Sequence, residues 1–285
     1  MDLTFECGLF LLGLVLGSFL NVCISRLPRD QSIISPGSHC PACGAAIRWY
    51  DNIPVLSWLF LRGRCRACGA GISLRYPAVE VLVAVLFTAS YLWFGPTLLT
   101  VKFCLFCFLS VGLLFMDAET GLLPREFTYI GILLGLALSR FAPTDASAAQ
   151  MLFHAYSVPM SAAWVSFLDS LLAATLGAGF FFVAAGLYWL IRHRQGMGIG
   201  DFALMAMSGA FLGLKLTLLV MCVAPLLASF YAIVRIARHG SAGGSISVGQ
   251  MLQSGEIPFG VFISAASLGT VFFGENFWQW YLRFF

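Results

Sequence analysis

The sequence predicts an all-α polytopic membrane protein with about eight transmembrane helices and a small cytoplasmic domain inserted between helices 1 and 2. Three observations carry this reading. Of 285 residues, 60% are hydrophobic and only 10% are charged, against about 25% charged in an ordinary soluble domain. Apolar runs recur along the chain at approximately 7–24, 78–95, 98–116, 127–141, 167–191, 202–214, 216–234 and 257–274. Between the first two runs lies a polar stretch, 25–77, rich in arginine and cysteine. The net charge of +3 gives no bulk field for nucleic acid, so lipid is the expected surroundings and no nucleic-acid partner is expected.

A helix needs about 20 residues to cross the hydrocarbon core, with a range of about 17–25. The fourth and sixth runs fall short of that length. The start does not read as a cleavable signal peptide, because Asp2 and Glu6 stand where a positive region is needed. It reads instead as a first spanning helix, 1–24, with its N-terminus outside. Alternating from there puts 25–77, 117–126, 192–201 and 235–256 in the cytoplasm. Those stretches hold Arg26, Arg29, Arg48, Arg62, Arg64, Arg66, Arg75, Arg125, Arg192, Arg194, Arg235 and Arg238. Only Lys102, Arg140, Lys215 and Arg283 are assigned to the other side. This excess of inner arginines is the positive-inside pattern.

The cytoplasmic stretch carries "CPACG" at 40–44 and "CRACG" at 65–69. Cys40, Cys43, Cys65 and Cys68 form two CxxC turns at a separation close to that of four-cysteine zinc sites. Each turn brings two thiolates to one ion, and Gly44 and Gly69 allow the backbone to turn just beyond. Zinc takes four thiolates in a closed tetrahedral site, which is structural rather than catalytic. A reducing cytoplasm disfavours the alternative of disulfides. Residues 25–77 are therefore expected to be a zinc-binding domain, with a hairpin or turn between the knuckles. The "CLFC" at 104–107 has the same spacing but lies inside an apolar run, and reads as small buried hydrophobes. Cys7, Cys23 and Cys222 read the same way.

Ionisable groups at the rim of a membrane helix are functional candidates. Asp117 closes the third run and Asp201 opens the sixth, both at the cytoplasmic face. Such a pair can work as general acid and general base on a peptide bond, sharing one proton. The helix dipoles favour the anion at Asp201 and the neutral acid at Asp117. Gly198 and Gly200 lack a Cβ, so an extended substrate backbone can approach the acid; the plainer reading is a loop break with Asp201 as a helix cap. Asp169 reads as an outer-side cap and Glu119 as a solvated loop residue.

"GSFLNVCISRLPR" (17–29), the paired CxxC, "SLRYPAVE" (73–80), "MDAETGLLP" (116–124), "GMGIGD" (196–201) and "IPFG" (257–260) occur in this order. Together they resemble the bacterial prepilin leader peptidases, membrane aspartyl proteases of the GxGD type. The resemblance spans nearly the whole chain and implies a membrane protease domain over 78–285, in the bacterial inner membrane, with its site facing the cytoplasm. It implies cleavage of type IV prepilin and type II secretion pseudopilin leaders, with Asp117 and Asp201 as the catalytic aspartates. It further implies N-methylation of the new N-terminal residue, usually Phe, from S-adenosylmethionine, the cysteine domain marking the methylating form. Two positions depart from the family pattern. Arg125 stands where an aspartate usually follows Leu-Pro, and Ala203 stands where a lysine is common.

The methylation site is the least legible. Asn21 in the first helix, with Arg75 and Glu80 at the start of the second, could orient an amine or the methyl donor. They serve equally well as polar glue between helices. A peptidase alone, with the zinc domain as a docking module, is the alternative reading. A presenilin-type protease would need deeper acids and does not predict the cysteines. A non-enzymatic scaffold would make the two aspartates independent caps. The Gly/Ser-rich segment 239–256 reads as a flexible connector that can help a substrate helix unwind.

Overall fold

The computed structural model describes residues 3–143, 160–193, 197–240 and 258–284. Among these, every one of the eight apolar runs is helical and no strand forms. The helices are α1 (Leu3–Arg26), α2 (Leu56–Phe60), α3 (Arg75–Phe94), α4 (Leu98–Thr120), α5 (Arg125–Phe141), α6 (Ala162–Arg192), α7 (Ile199–Leu212), α8 (Leu214–Gly240) and α9 (Phe259–Leu282). Among the described residues, α1, α3, α4, α6 and α8 are long and apolar enough to cross a membrane. Arg194, Gly196 and the connector from 241 to 257 lie outside the described residues. Residues 239–240, the first two of the proposed connector, belong instead to α8.

The chain divides into two compact units, Met1–Gly112 and Leu113–Phe285, with the boundary inside α4. In the first unit α1 and α3 pack backbone to backbone. A Cβ on Gly13 would lie 2.5 Å from Ala84 Cα, and one on Gly17 would lie 2.7 Å from Glu80 Cα. Glycines four apart on α1 thus meet residues four apart on α3, the close crossing that small-xxx-small spacing permits. Asn21 continues the same face, its amide donating to Tyr76 O at 3.0 Å and to Gly17 O at 3.3 Å.

In the second unit α7 is the centre. Fourteen residues long, it reaches only about 21 Å, too short for the hydrocarbon core. It packs against α5, α6, α8 and α9. That enclosure explains an apolar run with no polar face. Gly209 lets α6 approach, since a Cβ there would sit 2.6 Å from the Ala173 backbone. Serines knit the layers. Ser139 in α5 donates to Ala210 O at 2.9 Å and takes a hydrogen bond from Ser170 in α6 at 2.8 Å, while Ser267 in α9 meets Ser208 in α7 at 3.0 Å. Asp169, 2% exposed, accepts the Leu214 N–H at 3.0 Å and so caps α8. At the same end Lys215 pairs with Glu275 at 2.7 Å.

Some sequence expectations need correction. α4 runs past Asp117 to Thr120 and α7 begins at Ile199, so both acids lie within terminal helical turns. Glu119 is exposed, but on the last turn of α4 rather than in a loop. Lys102, assigned to the outer side, lies inside α4 rather than between helices and is 1% exposed. Cys104 and Cys107 are buried as expected, and so is Cys23, but Cys7 and Cys222 are on exposed helix faces. Apolar character alone does not separate a core face from a lipid-facing one.

Gly209→Val drives a branched side chain into the α6 backbone, whereas Gly186 has nothing within 4 Å of a built Cβ. Gly209→Val should therefore cost about 1–3 kcal/mol and lower the thermal midpoint in detergent, with Gly186→Val close to the parent. Equal midpoints for the two would contradict the central placement of α7.

Candidate active site and cysteine centre

Gly121, at the end of α4, has φ 65°, a left-handed conformation that glycine adopts without a Cβ penalty. The chain turns there, and Pro124 starts α5. Leu123 between them points back into the unit. A Cβ on Gly200 would lie 2.8 Å from Leu123 Cβ, and one on Gly260 would lie 3.1 Å from Leu123 Cδ1. Leu123 is thus wedged between the first turn of α7 and the first turn of α9.

Asp117 lies against Gly260 of this wedge, where a Cβ would stand 2.8 Å from its Oδ2, and Asp201 directly follows Gly200. Asp117 is 5% exposed and Asp201 8% exposed. Asp117 Oδ2 accepts the Val261 N–H at 2.9 Å, and Asp201 Oδ2 accepts the Gly198 N–H at 3.1 Å. Each carboxylate therefore has one oxygen held by a backbone amide at the start of a helix. Such amides have no partner inside their own helix. The arrangement brings together the segments at 116–124, 198–201 and 258–260, which are far apart in the chain. Two carboxyl groups presented this way can exchange protons with a bound water and a peptide carbonyl.

The flanking residues have distinct positions. Gly198 is exposed, and a Cβ there would meet nothing closer than Asp201 Oδ2, at 3.7 Å. The Cβ-free face of Gly200 is already filled by Leu123. Arg125 is exposed on the first turn of α5, and Ala203 is half-buried in α7. The sequence reading quoted Gly260 and Leu123 without giving either a role, and it missed Val261. A glycine two residues after a proline, in the first turn of a helix, was the available signal.

In the first unit the four cysteine sulfurs of Cys40, Cys43, Cys65 and Cys68 lie within 4.8 Å of one another. The two knuckles repeat one pattern. Gly44 N–H donates to Cys40 O and Gly69 N–H to Cys65 O, both at 2.9 Å, and both glycines have φ 72°. Cys40 Sγ and Cys68 Sγ are 3.9 Å apart, near the roughly 3.8 Å edge of a tetrahedron with 2.3 Å metal–sulfur bonds and far beyond a disulfide at about 2.05 Å. The backbone amides of Cys43 and Ala42 bring the Cys40 thiol from 9.0 down to about 6, whereas at Cys68, despite the Ala70 amide, hydrogen bonds with Cys43, Cys65 and Cys40 push the thiol up to about 11, so the cluster favours the thiolate that a metal needs at Cys40 first. The donor set fits a four-thiolate metal site. Between the knuckles lie the 3-10 turn Trp49–Asn52 and α2, the turn rather than the hairpin of the two forms expected there. Arg66 of the second knuckle grips Asp51 of that turn with a 2.6 Å contact, and its hydrogen bonds hold the Asp51 carboxyl below its usual range.

Asn21, Arg75 and Glu80 gather where α1 meets α3. Glu80, 7% exposed, accepts the Val55 N–H at 2.7 Å, so α2 is tied to the second turn of α3. Val55 itself has φ 60°, a strained conformation for a β-branched residue. Arg75 stacks its guanidinium over the Tyr76 ring at 4.5 Å. Asn21 Oδ1 is buried with no hydrogen-bond partner among the described residues.

Residues 11–94 match the Bacterial Peptidase A24 N-terminal domain, and residues 103–233 match the Type IV leader peptidase family. The prepilin leader peptidase/N-methyltransferase of Myxococcus xanthus (strain DK1622) is 39% identical over 254 residues, covering 89% of this chain and 70% of that protein. The protein of the same name from Aeromonas hydrophila is 33% identical over 303 residues, covering 97% and 93%. The one from Neisseria gonorrhoeae is 31% identical over 264 residues, covering 83% and 85%. No solved structure matches the chain. With its amino-terminal part in the bacterial A24 domain and most of the remainder in the peptidase region, this integral membrane chain belongs to the type IV leader peptidase family.

Proposed function

We propose that this chain removes the leader of type IV prepilins and type II secretion pseudopilins at the cytoplasmic face of the bacterial inner membrane. Asp117 and Asp201 are the hydrolytic pair, and the chain also N-methylates the new N-terminal residue. The observation that carries the proposal is that Leu123 meets both Gly200, which precedes the buried Asp201, and Gly260, which lies against the buried Asp117. The names of the relatives support both activities.

The chemistry follows from the pair. One carboxylate takes a proton from a water as it attacks the scissile carbonyl; the other, protonated, donates to the carbonyl oxygen. The first then returns its proton to the leaving amine as the C–N bond breaks. Asp201, in the first turn of α7, is the resting base because the helix dipole there favours the anion. Asp117 lies near the end of α4, but the Val261 amide of α9 offsets that end. The difference between the two acids therefore rests on the position of Asp201. Gly198 leaves open space beside Asp201 for an extended substrate backbone, and Gly200 serves by admitting Leu123. A topology with the N-terminus outside and the arginine-rich stretches inside would put this chemistry where a prepilin's basic leader meets its apolar helix. Exposed Arg125 repels that leader or binds an acid in it.

In the first unit a structural zinc ion held by Cys40, Cys43, Cys65 and Cys68 fixes the knuckles. S-adenosylmethionine supplies an electrophilic methyl group. Asn21 Oδ1, a buried acceptor with no partner among the described residues, and the Glu80 carboxylate would hold the new α-amino group, and Glu80 would accept its proton. Arg75, at the start of α3, would face the donor's carboxylate.

Asp117→Asn and Asp201→Asn should each cut prepilin trimming by roughly 100-fold or more, read by mass spectrometry of the product in detergent or nanodiscs. A trimmed product at the parent rate from either variant would remove the protease reading. Elemental analysis of the purified protein should find about one zinc per chain; Cys43→Ser with Cys68→Ser should remove it, and retention would contradict the four-thiolate site. On pre-trimmed pilin, Glu80→Gln should lower methyl incorporation roughly tenfold or more while trimming persists. Unchanged methylation would reduce Glu80 to a structural tie for Val55.

A further inference from the structure

Asp117 is held from a helix other than its own. Pro258 precedes α9, so Phe259, Gly260 and Val261 are its first three residues. The N–H of a third residue has no acceptor inside its helix. Here that N–H lies 2.9 Å from Asp117 Oδ2. The residue before it is equally constrained, since a Cβ on Gly260 would stand 2.8 Å from Asp117 Oδ2 and 3.0 Å from its Cγ. Under 3 Å the carboxylate would have to move. It has little room, being 5% exposed and beside Leu123, whose Cδ1 would lie 3.1 Å from the same Cβ.

We propose that Gly260 and Val261 are positioning residues for the cleavage reaction: the Val261 amide pins one oxygen of Asp117, and Gly260 keeps clear the space the carboxylate occupies. Proton exchange with water and substrate is then left to the other oxygen, at a fixed rotamer. Asp201 is held in a matching way, by Gly198 N–H on one oxygen. Both acids of the pair are therefore set by backbone, which cannot drift as a side-chain partner can. The inference rests on the reading of Asp117 as one of the hydrolytic acids.

Proline tests the amide directly. In the first turn it removes an N–H that no helical carbonyl needs, and the preceding residue, being glycine, tolerates the proline ring best. Val261→Pro and Gly260→Ala would be compared with Asp117→Asn for trimming of a purified prepilin in nanodiscs, with zinc content and thermal midpoint as checks of folding. The expected result is a fall in kcat of roughly 10- to 100-fold for Val261→Pro, with KM within about twofold, and a fall in the same sense for Gly260→Ala. A folded Val261→Pro within threefold of the parent kcat, beside an inactive Asp117→Asn, would overturn the positioning role and leave the aspartate pair standing. An active Asp117→Asn would instead sink the pair itself. Amide exchange gives a second readout that does not need the proline variant to fold. Asp117→Ala should speed exchange at the Val261 amide roughly tenfold or more and leave the Ser264 amide unchanged. No change at Val261 would overturn the proposal.

Discussion

The second unit depends on burying α7, a short helix that is apolar on every side. A helix of fourteen residues cannot match the bilayer by itself, so it has to be wrapped by protein. α5, α6, α8 and α9 do this. Glycine lets α6 come to backbone distance, and paired serines tie α5, α6 and α9 to the same core. In lipid there is little hydrophobic gain in moving one apolar helix against another, so close packing and hydrogen bonds between helices carry the association. The consequence for chemistry is direct. The helix bearing Asp201 is enclosed by four others, and its first turn opens where α4 ends and α9 begins.

The turn at Gly121 completes the site. It sends Leu123 back between the glycines that open α7 and α9, one lying against Asp117 and the other directly preceding Asp201, more than eighty residues further along the chain. Each acid is then anchored by one backbone amide. This is how a chain with few polar groups keeps two acids buried: helix ends supply amides that need partners, and the carboxylates need donors. The same economy recurs at Asp169, which caps α8, and at Glu80, which takes the Val55 amide.

Much of this was legible in the residues, and what was not has a physical reason. Every apolar run became a helix, because length and hydropathy decide that locally. The cysteine knuckles were readable because CxxC followed by glycine dictates a turn with two thiols on one side. The special status of α7 was not readable: a buried helix and a lipid-facing helix look alike in composition, which is also why Cys7 and Cys222 were misplaced as buried. The partner of Asp117 was invisible because it is a main-chain N–H, which any residue but proline provides. Leu123 was hidden for a related reason. A leucine in a membrane protein carries no signal until its neighbours are known. Gly200 drew attention for the right residue and a different cause, since its open face is filled by Leu123 rather than left for substrate.

The central claim is that Asp117 and Asp201 act as one hydrolytic unit. The most direct measurement is an experimental structure at a resolution that shows ordered water near the two carboxyl groups. The account predicts a single water hydrogen-bonded to an oxygen of each. Side chains packed between the carboxylates, or acids on opposite faces of the membrane, would contradict it.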